Sequence, residues 1–302
     1  MQTYPPIASL EKSPDPQTLG QNLPPGAPLE IIYYTDPLCS WSWAVEPQWR
    51  RLRYEFGDRL VYRYSMGGLL RDWQQFSDPL NDISRPVQMG PVWIQVRHLT
   101  GMPINEGIWV KNPPTSSYPA CIAVKAASQQ GPGVGESYLR RLREAVMLEG
   151  RNIAQREVLL ELGAELNPEF GFDGDRFERD LDHPDSMEAF RQDLKEMRYC
   201  GIARFPSIML RPNSGRSLLM MGYRPYSVLR DAITQIAPDL EPQRSVTDAI
   251  SYLTHWETIT VPEVAVALNL NIEATTILLD EAVNRGQVEK AGFLYRKTGG
   301  GT

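Results

Sequence analysis

Residues 35–43 read Thr35-Asp36-Pro37-Leu38-Cys39-Ser40-Trp41-Ser42-Trp43, and the rest of the chain is arranged around them. The apolar run Leu29 to Tyr34 that precedes them is β-rich. After them Val45, Trp49, Leu52 and Phe56 recur at spacings of four, three and four, a helical pattern. Cys39 therefore stands where a strand ends and a helix begins. A thiol there faces the unpaired N–H groups of the first helical turn, which favour thiolate over thiol. This predicts an activated Cys39 that titrates below the reference of about 8.5. Ser42 occupies the place where a C-x-x-C redox pair would carry its second cysteine, so the motif reads as a one-thiol redox site. Pro47 lies inside the helical pattern and should kink it.

The chain has 302 residues, enough for one large domain or two. A hydrophobic fraction of 42% and a charged fraction of 23% are those of a soluble globular protein. The net charge of −6 argues against a general binder of nucleic acid or anionic membranes. No apolar run approaches the roughly 18 residues of a membrane span. The N-terminus lacks the basic start and apolar core of a secretory signal. Three cysteines spread over a long chain make no disulfide framework, so a reducing, cytoplasmic setting is expected. The three histidines match no zinc spacing, and no metal is expected.

Residues 1–27 hold six prolines and read as a flexible N-terminal segment, part of which can lie against the domain. Strands are expected at Leu29–Thr35 and Leu60–Met66, joined by a helix. That order implies a parallel pair with a right-handed crossover. From Leu69 to Pro114 prolines and glycines suggest loops, Pro91 among them. A helical block follows, with helices expected at Tyr118–Gln130, Glu136–Leu148, Ile153–Leu166, Asp175–Leu181 and Met187–Tyr199. Asn152 is a candidate cap for the third. Gly131-Pro132-Gly133-Val134-Gly135 follows no strand and reads as a connection between helices. Strands return at Ser207–Arg211 and Ser217–Met221, before a helix from Tyr226 to Ile236. Beyond a proline-bounded linker, three short helices and a hairpin in 243–302 form a winged-helix-like pattern. From Ser245 onward it carries seven acids against four bases, a formal net charge of −3, so DNA binding is not expected. A contact with the main domain or a protein partner is.

Cys39 is the main candidate for chemistry, with Ser42 placed to hydrogen-bond its thiolate. Ser42 cannot resolve a mixed disulfide, because exchange needs a second thiolate. Cys121 and Cys200 read as buried helical cysteines.

The element order, the motif Asp36-Pro37-Leu38-Cys39-Ser40-Trp41-Ser42-Trp43 and the segments Ser116–Ala120, Gly201–Ser207 and Gly222–Tyr226 carry a resemblance. Residues 28–238 resemble the DsbA family, above all its cytoplasmic members, with Ser42 in place of the second active-site cysteine. The resemblance implies an α/β architecture, a thioredoxin-like fold with a helical insertion at about 69–200; the winged-helix-like 243–302 lies outside it. It implies a nucleophilic Cys39 and a cis Phe205–Pro206 bond beside it. Trp41, Trp43 and Phe205 would form the substrate-binding surface. The implied activity is that of a thiol-disulfide oxidoreductase using a single thiol on protein or glutathione mixed disulfides. No bound cofactor is expected, and glutathione is a candidate co-substrate. An alternative is a non-catalytic adaptor, since members of this broad group present a transcription factor to a Clp protease. A further alternative is a glutathione-dependent isomerase or transferase related to the kappa class. That group places a serine at the first motif position, so Cys39 argues against it.

Overall fold

The computed structural model describes residues 8–9, 27–78, 81–166 and 171–298. The expected N-terminal segment lies largely outside these, apart from Ala8–Ser9 (β1) and Ala27. Strand β2 (Leu29–Thr35) leads into a one-turn helix α1 (Ser40–Ala44) and then α2 (Glu46–Phe56). The chain breaks between the two helices at Val45, and Pro47 falls in the first turn of α2. Proline lacks the N–H that a continuous helix would need there and is well suited to a first turn. Strand β3 (Val61–Met66) runs parallel to β2, with Tyr33 opposite Tyr64.

The insertion contains α3 (Met89–Thr100), α4 (Ile108–Lys111), α5 (Tyr118–Ser128), α6 (Pro132–Glu144), α7 (Arg156–Ala164), α8 (Gly174–Asp182) and α9 (Pro184–Tyr199). Helix α3 corrects the loop expected across this region. Its Pro91 sits in the first turn, where helix N–H groups lack intrahelical partners anyway. The glycine-rich stretch at 131–135 is likewise mostly the first turn of α6, opened by Pro132. Asn152 does not cap α7. Its Oδ1 accepts from the Ala154 N–H at 3.0 Å, four residues before the helix begins.

The return strands β4 (Ser207–Pro212) and β5 (Leu218–Met221) are antiparallel and complete a five-stranded sheet in the order β1-β5-β4-β2-β3. Strand period decides what each face covers. Leu29, Ile31 and Tyr33 of β2 meet Trp49 and Leu52 of α2 and Leu229 and Ile233 of α10 (Tyr226–Ile236). Ile32 and Tyr34 point the other way, onto Met197 and Ile202 at the end of the insertion. This is the thioredoxin-like fold with a helical insertion.

The chain then forms α11 (Ala249–His255), α12 (Val261–Leu268), α13 (Ile272–Asn284) and the hairpin β6 (Val288–Ala291) and β7 (Leu294–Lys297). This C-terminal unit packs on α2. Tyr54 joins its apolar core, with the Tyr252 ring centroid 5.0 Å away. Glu263, wholly buried in the first turn of α12, accepts from Arg140 Nη1 and Nη2 of α6 at 2.8 and 3.2 Å. Arg50 of α2 lies 3.1 Å from the same carboxylate. These ion pairs tie the unit to α2 of the thioredoxin core and to α6 of the insertion.

Candidate functional site

Strand β2 ends at Thr35, and a tight turn delivers Cys39 to the N-cap of α1. The turn is held by Asp36, which is fully buried. Its carboxylate accepts from the Leu38 N–H at 2.8 Å, the Leu69 N–H at 2.7 Å and the Ser117 hydroxyl at 2.8 Å. Cys121 also donates its thiol to Asp36, at 3.4 Å. So Asp36 joins the motif loop to the start of the insertion and to α5. Burial pushes its carboxyl above the ordinary 3.8, while the two N–H groups and the hydroxyl pull it back down.

The Cys39 sulfur accepts from the Ser42 N–H at 3.4 Å. It lies 3.7 Å from the Phe205 carbonyl, to which a protonated thiol donates. The Phe205–Pro206 peptide bond is cis. Cys39, Ser42 and the Phe205–Pro206 pair, far apart in sequence, thus meet at one place. The expected depression of the thiol pKa is not what the environment produces. Cys39 is only 6% exposed, and burial pushes its thiol above the ordinary 9.0. The Ser42 hydroxyl and N–H act in the opposite direction but do not outweigh burial, and the Asp36 charge adds to the rise. A one-turn helix offers little macrodipole to counter this.

Trp41 and Phe205 are half-buried and line a cleft of about 1600 Å³ in front of Cys39. Trp41 is 6.2 Å, centroid to centroid, from Tyr223. Trp43 corrects the expectation of a substrate contact. It is wholly buried beneath the insertion, its Nε1 donates to the Pro103 carbonyl at 3.0 Å, and the Arg140 guanidinium sits 4.6 Å over its ring. The sequence reading missed Asp36 as the organiser of the motif loop. It also missed the cleft walls from α5, α9 and the segment after β5. A cue for Asp36 was present, since an Asp before Pro37 favours a turn held by its own side chain.

All three cysteines are unpaired and buried. Burial also pushes the Cys121 and Cys200 thiols up. Among the described residues no group of three His, Cys, Asp or Glu side chains is arranged to hold a metal ion. No described helix is long and apolar enough to cross a membrane.

Among proteins of known name, the chain is 26% identical over 294 residues to ClpXP adapter protein SpxH from Halalkalibacterium halodurans, covering 96% of this chain and 92% of that protein. Among solved structures, a cytosolic disulfide reductase DsbM from Pseudomonas aeruginosa is 27% identical with a TM-score of 0.52, covering 69% of this chain and 96% of that one. A putative protein disulfide isomerase from Nitrosomonas europaea has a TM-score of 0.59 at 22% identity over 69% of this chain and 97% of that one, a likeness of fold. The similarity to the adapter protein spans nearly the whole chain, whereas the two structures match about two thirds of it. A family model described as Thioredoxin matches residues 33–231, more than half of the chain, and the chain belongs to that family.

Proposed function

We propose that this chain is a protein-binding adaptor built on a thioredoxin scaffold, and that it brings a client protein to the ClpXP protease. The observation that carries this reading is the state of Cys39. The thiol is buried, lacks a resolving cysteine at position 42 and is held above its ordinary pKa. Burial disfavours the thiolate, the species that attacks a disulfide, so this thiol is a poor start for exchange. Support also comes from the similarity to ClpXP adapter proteins, which runs through the C-terminal unit. Three unpaired cysteines support a reducing, cytoplasmic setting for such an adaptor.

Single-thiol exchange with glutathione mixed disulfides is the second reading. It is favoured by the place of Cys39 at an open cleft, beside the Phe205 carbonyl. Two measurements separate them. Purified ClpXP should bind the full chain, and turnover of a glutathionylated peptide should match that of a Cys39→Ser control. Ser42→Cys should bring no gain in turnover, because exchange must begin with attack by the Cys39 thiolate, which burial disfavours. Turnover by the wild type that Cys39→Ser abolishes, with no ClpXP binding, would establish exchange instead.

A further inference from the structure

The cleft in front of Cys39 holds about 1600 Å³. Pockets for small molecules usually hold roughly 300–1,000 Å³. This volume suits a stretch of polypeptide better than a small thiol. Met89, Met187, Met197 and Met221 line it alongside Trp41 and Phe205. Unbranched thioethers reshape around different apolar side chains, a property of surfaces that accept varied protein segments.

The rim has a definite sign. Arg71, Arg191, Arg198 and Arg204 line the cleft, against Asp72 and Asp78 alone among the acids of the described residues. In a protein of net charge −6, this is a local excess of positive charge. Arg191 and Arg198 lie two turns apart on α9 and share a face, with Arg191 3.8 Å from the Glu188 carboxylate on the same helix. Arg198 donates Nε to the Leu194 carbonyl at 3.2 Å, and among the described residues neither Arg198 nor Arg204 joins an ion pair. Arg71, from the segment after β3, is mostly exposed and 3.9 Å from Asp72. Arg71 and Arg198 both act on the Tyr118 phenol in the cleft wall, opposing the effect of burial, so their fields overlap there.

We propose that the cleft takes an extended acidic segment of a client protein. Its apolar side chains lie on the methionine wall and its carboxylates on Arg198 and Arg204. This rests on the adaptor reading and names the chemistry of the client. The test is fluorescence anisotropy of the full chain with short labelled peptides of one apolar pattern, carrying either glutamates or lysines at the same positions. The acidic set should bind about tenfold more tightly, as a few exposed charge pairs allow. Added salt should narrow the difference. Both arginines are exposed, so Arg198→Glu with Arg204→Glu should leave the fold intact and reverse the preference. Equal binding of the two sets would overturn the proposal, as would a preference that survives the charge reversal. Single-stranded DNA that binds as tightly as the acidic peptide, and is lost in the same variant, would overturn it in favour of a general anion groove. Acidic-peptide binding without ClpXP binding would sink the adaptor reading and leave the cleft assignment standing. ClpXP binding without charge preference would do the reverse.

Discussion

Glu263→Ala should destabilise the protein by about 3–5 kcal/mol, the range seen when one partner of a buried ion pair is removed. Glu263 has no exposed surface and accepts from both nitrogens of the Arg140 fork, with Arg50 beside it. It also accepts from the Thr260 N–H at 2.6 Å, capping the start of α12. The alanine variant leaves two buried guanidinium groups short of a carboxylate and that N–H without its acceptor. Urea denaturation of wild type and variant reads the difference. The pH dependence has a definite sign. Burial raises the Glu263 pKa, but Arg140 and Arg50 outweigh it and hold the group below its ordinary 4.5. Its folded pKa is thus lower than its unfolded one. Its contribution is complete above about pH 4.5 and is lost as pH falls through the folded value. The wild-type advantage over Glu263→Ala should shrink in that acid window and stay level above it.

Asp36→Ala should cost about 2–6 kcal/mol, because it strips the acceptor from one buried and one partly buried backbone N–H group at about 1–3 kcal/mol each. Those are the Leu38 and Leu69 amides, and the Ser117 hydroxyl loses its acceptor as well. Asp36→Asn should not rescue it fully. One amide nitrogen must then face either the Leu38 donor or the Leu69 and Ser117 donors. The loss is read by the same denaturation. A second readout separates a local from a global effect. The Asp36 charge raises both the Cys39 and Cys121 thiols, so in the folded variant both should titrate lower than in the wild type.

The sheet was legible because its strands alternate or run apolar between clear turn signals. Leu29–Thr35 is such a run, and Val61–Met66 lies within the expected Leu60–Met66. Helix α9 was legible from its stripe of Met187, Phe190, Leu194 and Met197. Helix α3 was not, because Pro91 looks the same in a first turn as in a loop. The junction position of Cys39 could be read from local pattern, but the balance that sets its pKa could not. Its cover comes from distant segments, the Phe205 carbonyl among them. Trp41 and Trp43 show a similar limit. Two residues apart on a helix, they point to nearly opposite sides. One of them had to face inward, and it is Trp43, which joins the core beneath the insertion. The charge of the cleft rim escaped for the same reason. Arg71, Arg198 and Arg204 belong to three segments that only the fold brings together.

The most direct test of a scaffold that binds rather than exchanges disulfides is the pH dependence of Cys39 alkylation in the folded chain, resolved from Cys121 and Cys200 by peptide mass spectrometry. The midpoint should lie at or above the ordinary thiol value of 9.0. A midpoint clearly below it, in the range of activated thiolates at helix N-termini, would rule out a merely binding scaffold and return Cys39 to chemistry.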